Sequence, residues 1–176
     1  MIFEPLPITG AFKITSEPHR DERGFFARLY CPEEVAAQGI AFTPVQINLS
    51  ANARRGTLRG LHYQAPPQAE AKLVHAVSGR AFDVIVDLRS DSPSFRRWAG
   101  VELDARTPTA VFVPEGCAHG FLTLEDETSI LYQMGRIFTP GHDRGVRWND
   151  PAFSIAWPEK PAVISGRDAS YPDFSG

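Results

Sequence analysis

The sequence predicts an all-β protein, a sandwich or barrel with a few short helices and a loop-rich C-terminal tail. Short apolar runs rich in Val, Ile, Phe, Leu and Thr recur along most of the chain, the composition of half-buried strands. Turn-forming stretches such as PPQ, SGR, SDSPS and PEG separate them, because Gly and Pro supply the backbone angles that turns require. Many short strands at this spacing, with almost no helical periodicity, point to packed or closed antiparallel sheets.

The elements follow in order. Apolar strand-like runs are FFARLY (25–30), TPVQINLS (43–50), TLRGLHYQ (57–64), KLVHAVSG (72–79) and AFDVIVDL (81–88). WAGVEL (98–103), TAVFVP (109–114), HGFLTL (119–124) and TSILYQM (128–134) complete the series. PEEVAAQG (32–39) alone reads as helix, with Pro first, acidic residues in the first turn and Gly as a stop,. The stretch FTPGHDRGVRWNDPAFSIAWPEKPAVISGRDASYP is proline-dense. It is expected to lie as loops and short pieces across the barrel, where it can still place single residues in a pocket.

With 176 residues, 43% apolar and 22% charged, the chain suits one domain over 1–176 with a sizeable core. A net charge of −3 gives no global field toward nucleic acid or a membrane surface. No signal-peptide pattern or long apolar run is present,. Cys31 and Cys117 form no CxxC and are too few for a disulfide scaffold,. A reduced, cytoplasmic protein is expected.

Two stretches resemble the paired motifs of the cupin superfamily, small jelly-roll barrels. Gly56, His62 and Gly79 fit the first motif, and Pro114-Glu115-Gly116-Cys117-Ala118-His119 fits the second. A metal-binding cupin needs further His and Glu ligands in the first motif. Here Gln64 stands at the second His position and Lys72 lies near the Glu. An ammonium repels a divalent cation, and two imidazoles without a carboxylate or thiolate make a poor site. The barrel signal therefore stands without the metal signal.

Without a metal, the residue types suit proton abstraction beside a carbonyl. His62 can act as general base near neutral pH, and Lys72 can stabilise a developing enolate oxygen. Inverting a carbon also needs an acid on the opposite face. Tyr132, on a strand that alternates inward with Ile130 and Met134, is the candidate. Asp168 can reach back from the tail to orient the imidazole. Arg59 and His62 are three apart, so a regular strand would point them to opposite faces. A bulge at Gly60 is expected to bring both inside.

The ordered set RGTLRGLHYQ, AKLV, FDVIVDLR, SPSF, PEGCAHGF, LYQ, RGVRWNDPAF and IAWP closely resembles the dTDP-4-dehydrorhamnose 3,5-epimerase family, over roughly residues 20 to 172. The resemblance implies a cofactor-free, metal-free cupin, usually dimeric, that inverts the two carbons flanking the ketone of dTDP-4-dehydro-6-deoxy-D-glucose. His62 would be the proton acceptor paired with Asp168, Tyr132 the donor, and Lys72 the residue at the ketone oxygen. Arg23 and Arg59 would meet the diphosphate, for which a guanidinium fork is suited. Gln46 and Asn48 would lie near the nucleotide, and His119 would contact substrate. Phe26, Asp143 and Arg167 join the substrate-binding set.

Four positions depart from the family pattern: Phe138 for a tyrosine that stacks on thymine, Arg28 and Asp143 for glutamates, and Ile47 for an aspartate. The alternative expectation is inversion of one carbon of a related nucleotide-linked 4-keto-6-deoxy sugar. The resemblance also makes an N-terminal strand within MIFEPLPITGAFKI a plausible element to be exchanged across a dimer interface.

Overall fold

A computed structural model describes residues Met1–Gly176. In chain order the strands are β1 (Ile2–Pro5), β2 (Phe12–Thr15), β3 (His19–Asp21), β4 (Gly24–Phe26), β5 (Gln46–Asn52), β6 (Thr57–Gln64), β7 (Lys72–Ser78) and β8 (Arg80–Asp87). They continue as β9 (Trp98–Asp104), β10 (Thr109–Val113), β11 (Cys117–Thr123), β12 (Thr128–Met134), β13 (Asp143–Gly145) and β14 (Val163–Ile164). The helices are α1 (Pro32–Ala36) and α2 (Gly166–Ala169). No helix is long and apolar enough to cross a membrane.

The fold is all-β and of cupin type. One sheet runs β1-β2-β10-β7-β12-β5 and a second runs β13-β6-β11-β8-β9, with β14 added in parallel to β6. Alternation along each strand sends every second side chain between the sheets. Val74, Val111, Val113 and Ile130 of the first sheet meet Ala81, Ile85, Leu103 and Phe121 of the second in the main core. The outer face of the second sheet buries Leu61, Val84, Val86 and Ala118 under the tail residues Val146 and Phe153. The outer face of the first sheet buries Leu73, Ala110 and Phe112 against Val35, Ile40 and Phe42.

The expected strands from 57 to 134 are all present. FFARLY yields only β4, and the helix expected over 32–39 ends at Ala36 and continues as a turn. Pro32 sits at its start and Glu33 and Glu34 in its first turn. Glu34 accepts hydrogen bonds from the chain's amino terminus and from Arg28, each at 2.6 Å. Arg28 thus serves as a tie between α1 and the preceding segment.

The bulge on β6 is real. His119 of β11 faces His62 while Phe121 faces Arg59, so two steps on β11 span three on β6. Gly60 hosts it at φ +137°, and a Cβ there would lie 2.5 Å from the Gly120 Cα. Only glycine fits both that angle and that approach. Gly60→Ala is expected to destabilise the fold by at least about 2 kcal/mol, read from urea unfolding.

His75 points to the outer face of β7, opposite Ala110 and Leu131. It is buried, and neither ring nitrogen has a hydrogen-bond partner. Burial pushes its pKa down from 6.5 to about 4. Between those values the unfolded chain holds more protons, so this contribution to stability is complete above pH 6.5 and is lost as pH falls toward 4. The loss should total about 3 kcal/mol. Unfolding free energies measured across that range should show this slope, and His75→Leu should flatten it.

Candidate active site

A cavity of about 290 Å³ opens at one end of the space between the sheets. β6 brings Arg59, His62 and Gln64 to it, β7 brings Lys72, β11 His119, β12 Tyr132 and Met134, and β5 Asn48 and Ser50. The bulge is what lets Arg59 and His62 share this wall. Regular alternation places Ile130, Tyr132 and Met134 on the inner side of β12, as expected.

His62 Nε2 donates to Asp168 Oδ1 at 2.7 Å. The second Asp168 oxygen accepts from the Gly60 amide at 3.1 Å. Burial raises the Asp168 pKa, but the hydrogen bond and charge of His62 and the Gly60 amide outweigh it and leave the pKa below the ordinary carboxylate value. The carboxylate therefore stays ionised and orients the ring. Asp168 reaches the site because Ser165 caps α2, its Oγ accepting from the Asp168 amide at 3.0 Å. His62 itself keeps 45% of its side chain exposed toward the cavity.

Lys72 is buried, with Nζ 3.0 Å from Glu70 and donating to the His62 carbonyl at 3.2 Å. Glu70 also accepts from Gln64 Nε2 at 2.9 Å, and Gln64 Oε1 accepts from the Thr139 amide at 2.7 Å. His119 donates to Asp83 Oδ2 at 2.7 Å, and its ring stands edge-on to Tyr132 at 5.8 Å. Burial pushes the Tyr132 phenol far above its ordinary pKa. The nearby Asp83 charge adds to that shift, and Arg59 opposes it. A phenol so placed holds its proton until a strong base forms beside it.

The remaining candidates divide. Arg59 lines the cavity and donates to Asn52 at 2.7 Å. Phe138, Asp143 and Arg167 line its mouth, and Arg167 is ion-paired with Asp143. Gln46 lies behind that wall, accepting from the Phe138 amide at 3.0 Å and donating to Asn48 at 3.2 Å. Arg23 and Phe26 are not brought to the cavity of their own chain. They sit on the β3–β4 hairpin, where Arg23 pairs with Asp21 and both line a separate surface depression. Both expected substrate-binding residues thus stand outside the cavity of their own chain. Ile47 faces outward from β5 while its neighbour Asn48 faces the cavity.

Glu70, Tyr63 and Arg144 also line the cavity and escaped the sequence reading. Glu70 was detectable, since an extended chain puts it on the same side as Lys72 two residues on. Gln64 and Lys72, at the two positions where a cupin metal site would need ligands, are bonded instead to Glu70. No three His, Cys, Asp or Glu side chains lie together as a metal-ligand group.

The chain matches a family model described as dTDP-4-dehydrorhamnose 3,5-epimerase over residues 5–176. The dTDP-4-dehydrorhamnose 3,5-epimerase of Pseudomonas aeruginosa is 43% identical over 159 residues, 88% of this chain and 86% of its own. The dTDP-4-dehydrorhamnose 3-epimerase of Streptomyces niveus is 38% identical, covering 96% of this chain and 81% of its own. A crystal structure of dTDP-4-dehydrorhamnose 3,5-epimerase from Bacillus anthracis, with TDP and PPi bound, matches at a TM-score of 0.91 and 39% identity, covering 94% of this chain and 95% of that one. Sequence and backbone agree over nearly the whole length, and the chain belongs to the dTDP-4-dehydrorhamnose 3,5-epimerase family.

Proposed function

We propose that this chain, acting as one domain over residues 1–176, epimerises dTDP-4-dehydro-6-deoxy-D-glucose at C3 and C5 to dTDP-4-dehydro-L-rhamnose. The observation that carries this reading is the 2.7 Å His62–Asp168 pair opening onto the same cavity as Lys72 and Tyr132. The reaction needs a base, an acid on the opposite face, and a cation at the ketone. With Nε2 held by Asp168, His62 has Nδ1 left to take a proton from the carbon beside the ketone. Asp168 stabilises the imidazolium that results. The ammonium of Lys72 offsets the charge that develops on the ketone oxygen.

Tyr132 then delivers its proton to the other face of the same carbon, and solvent restores both groups. In the D-gluco ring the hydrogens on C3 and C5 are axial on one face, so one base and one acid serve both centres in turn. Arg59 supplies a guanidinium for the diphosphate, and Phe138 an apolar face for the base. His119 and Asn48 contribute polar contacts to the sugar and nucleotide.

In heavy water, solvent deuterium should enter C3 and C5 during turnover, followed by proton NMR. His62→Ala should abolish wash-in, a loss of about 100- to 10,000-fold for a general base. Tyr132→Phe should keep wash-in while losing inversion, because His62 then returns the label to the face it came from. A second reading, inversion of one carbon, is favoured by the 3-epimerase of Streptomyces niveus among the relatives and by Phe138. Label at a single carbon would select it.

The partner in solution is a second copy of this chain. Val45, Ile47 and Leu49 are 54%, 63% and 62% exposed around β5, the edge strand of its sheet. Such an apolar edge carries unpaired backbone groups and is a docking surface. Arg23 and Phe26 can serve nucleotide binding only if their hairpin reaches that second copy. Light scattering should give twice the chain mass, and Ile47→Glu should shift it toward the monomer.

A further inference from the structure

Tyr171 follows α2 at the start of the chain's last segment and takes no part in lining the cavity. Its ring nevertheless stands edge-on to His62, with centroids 6.3 Å apart and planes at 70°. The ring also rests on Gly145, which is the register partner of His62 across β13 and β6. A Cβ on Gly145 would lie 2.2 Å from the Tyr171 Cζ and 2.7 Å from its hydroxyl oxygen, so the glycine is the seat that admits the ring. The guanidinium of Arg167, ion-paired with Asp143 at the cavity mouth, lies 5.9 Å from the ring centroid.

The hydroxyl of Tyr171 is buried and has no hydrogen-bond partner. The Arg167 guanidinium lies beside that oxygen but is already ion-paired with Asp143, so the oxygen adds little to this packing. The ring's bulk and shape are what the surroundings use. That ring stands against the base, and three residues before it, in α2, comes Asp168, which holds the base. Seating the ring on Gly145 therefore fixes the tail segment against β13 and the imidazole against its carboxylate at one point.

We propose that Tyr171 is a positioning residue for the base, with its ring, seated on Gly145, holding His62 and Asp168 in their working alignment. This rests on the reading of His62 as the proton acceptor. Misplacement of a reacting group by about 1 Å can cost on the order of 100-fold in rate. A group that only aligns the base acts on turnover rather than on nucleotide affinity.

The test is steady-state kinetics and deuterium wash-in on full-length variants with dTDP-4-keto-6-deoxyglucose. Tyr171→Ala should lower kcat about 10- to 100-fold with KM within about twofold. Tyr171→Phe should keep the parent kcat. Gly145→Ala, which drives a methyl into the ring, should lower kcat likewise, and the Gly145→Ala, Tyr171→Ala double variant should lose no more than the worse single variant. If Tyr171→Ala does not fold, Tyr171→Leu keeps the bulk without the planar ring and should show the same kcat loss.

A foldable Tyr171→Ala or Tyr171→Leu variant with parent kcat overturns the proposal, as does a Phe variant as impaired as the Ala variant, or additive losses in the double variant. The reading it rests on fails separately, through wash-in that survives in His62→Ala. Loss of wash-in in His62→Ala with unchanged turnover in Tyr171→Ala sinks the positioning role alone.

Discussion

The close approach of β6 to β11 at Gly60 and Gly120 is the constraint on which the site depends. A Cβ at Gly60 would sit 2.5 Å from the Gly120 Cα, and one at Gly120 would sit 2.6 Å from the Arg59 carbonyl. The bulge made possible there turns both Arg59 and His62 inward, where a flat ladder would expose one of them. It also turns Leu61 outward into the core beneath the tail, where its backbone exchanges hydrogen bonds with Val146 at 3.2 and 3.0 Å. The same tail returns Asp168 to the amide of Gly60. One irregularity in one strand thus sets the guanidinium, the imidazole and the imidazole's carboxylate together.

The cavity answers the cost of buried charge by pairing. The buried Asp168 has His62, and the buried pairs His119–Asp83 and Lys72–Glu70 complete the set. Removing one member of such a pair leaves an uncompensated charge in a poorly solvated place, which costs more than the pair contributed. The pairs stiffen the wall as well. Gln64, which lines the cavity, and Gln46, which lies behind its wall, both bind the backbone of the segment carrying Phe138, so the aromatic at the mouth is held in place. A site whose dipoles are fixed before substrate arrives stabilises developing charge without first reorganising.

Much of this was legible in the chain. Strands β6 to β12 announce themselves by β-branched and aromatic alternation between turn residues, and the bulge follows from Gly60 lying between two polar residues that both had work inside. The short elements β3, β13, β14 and α2 carry too few residues for a period to show. Tyr171 was hidden in a proline-rich tail, because its role arises from contacts far apart in sequence. Family departures gain meaning only from direction. Ile47 replaces a usual aspartate but faces away from the cavity, Arg28 ties down α1, and Asp143 finds Arg167. Arg23 and Phe26, credible as ligands by motif, lie on a hairpin remote from their own chain's cavity.

Two histidines enter the cavity with carboxylate partners at the same 2.7 Å, and burial separates their uses. His119 is 3% exposed, with Asp83 on one side and the Tyr132 ring on another. A proton taken there would have no short path to water. His62 keeps nearly half of its side chain open, so it can receive a proton from bound sugar and pass it on to solvent. A two-centre epimerase must repeat that exchange within one visit of the substrate, and the proton of the acid must be renewed as well. The asymmetry in exposure, rather than any difference in hydrogen-bond length, therefore favours His62 over His119 in the proposed role of base. It leaves His119 to hold Tyr132 and to meet the sugar as a fixed polar wall.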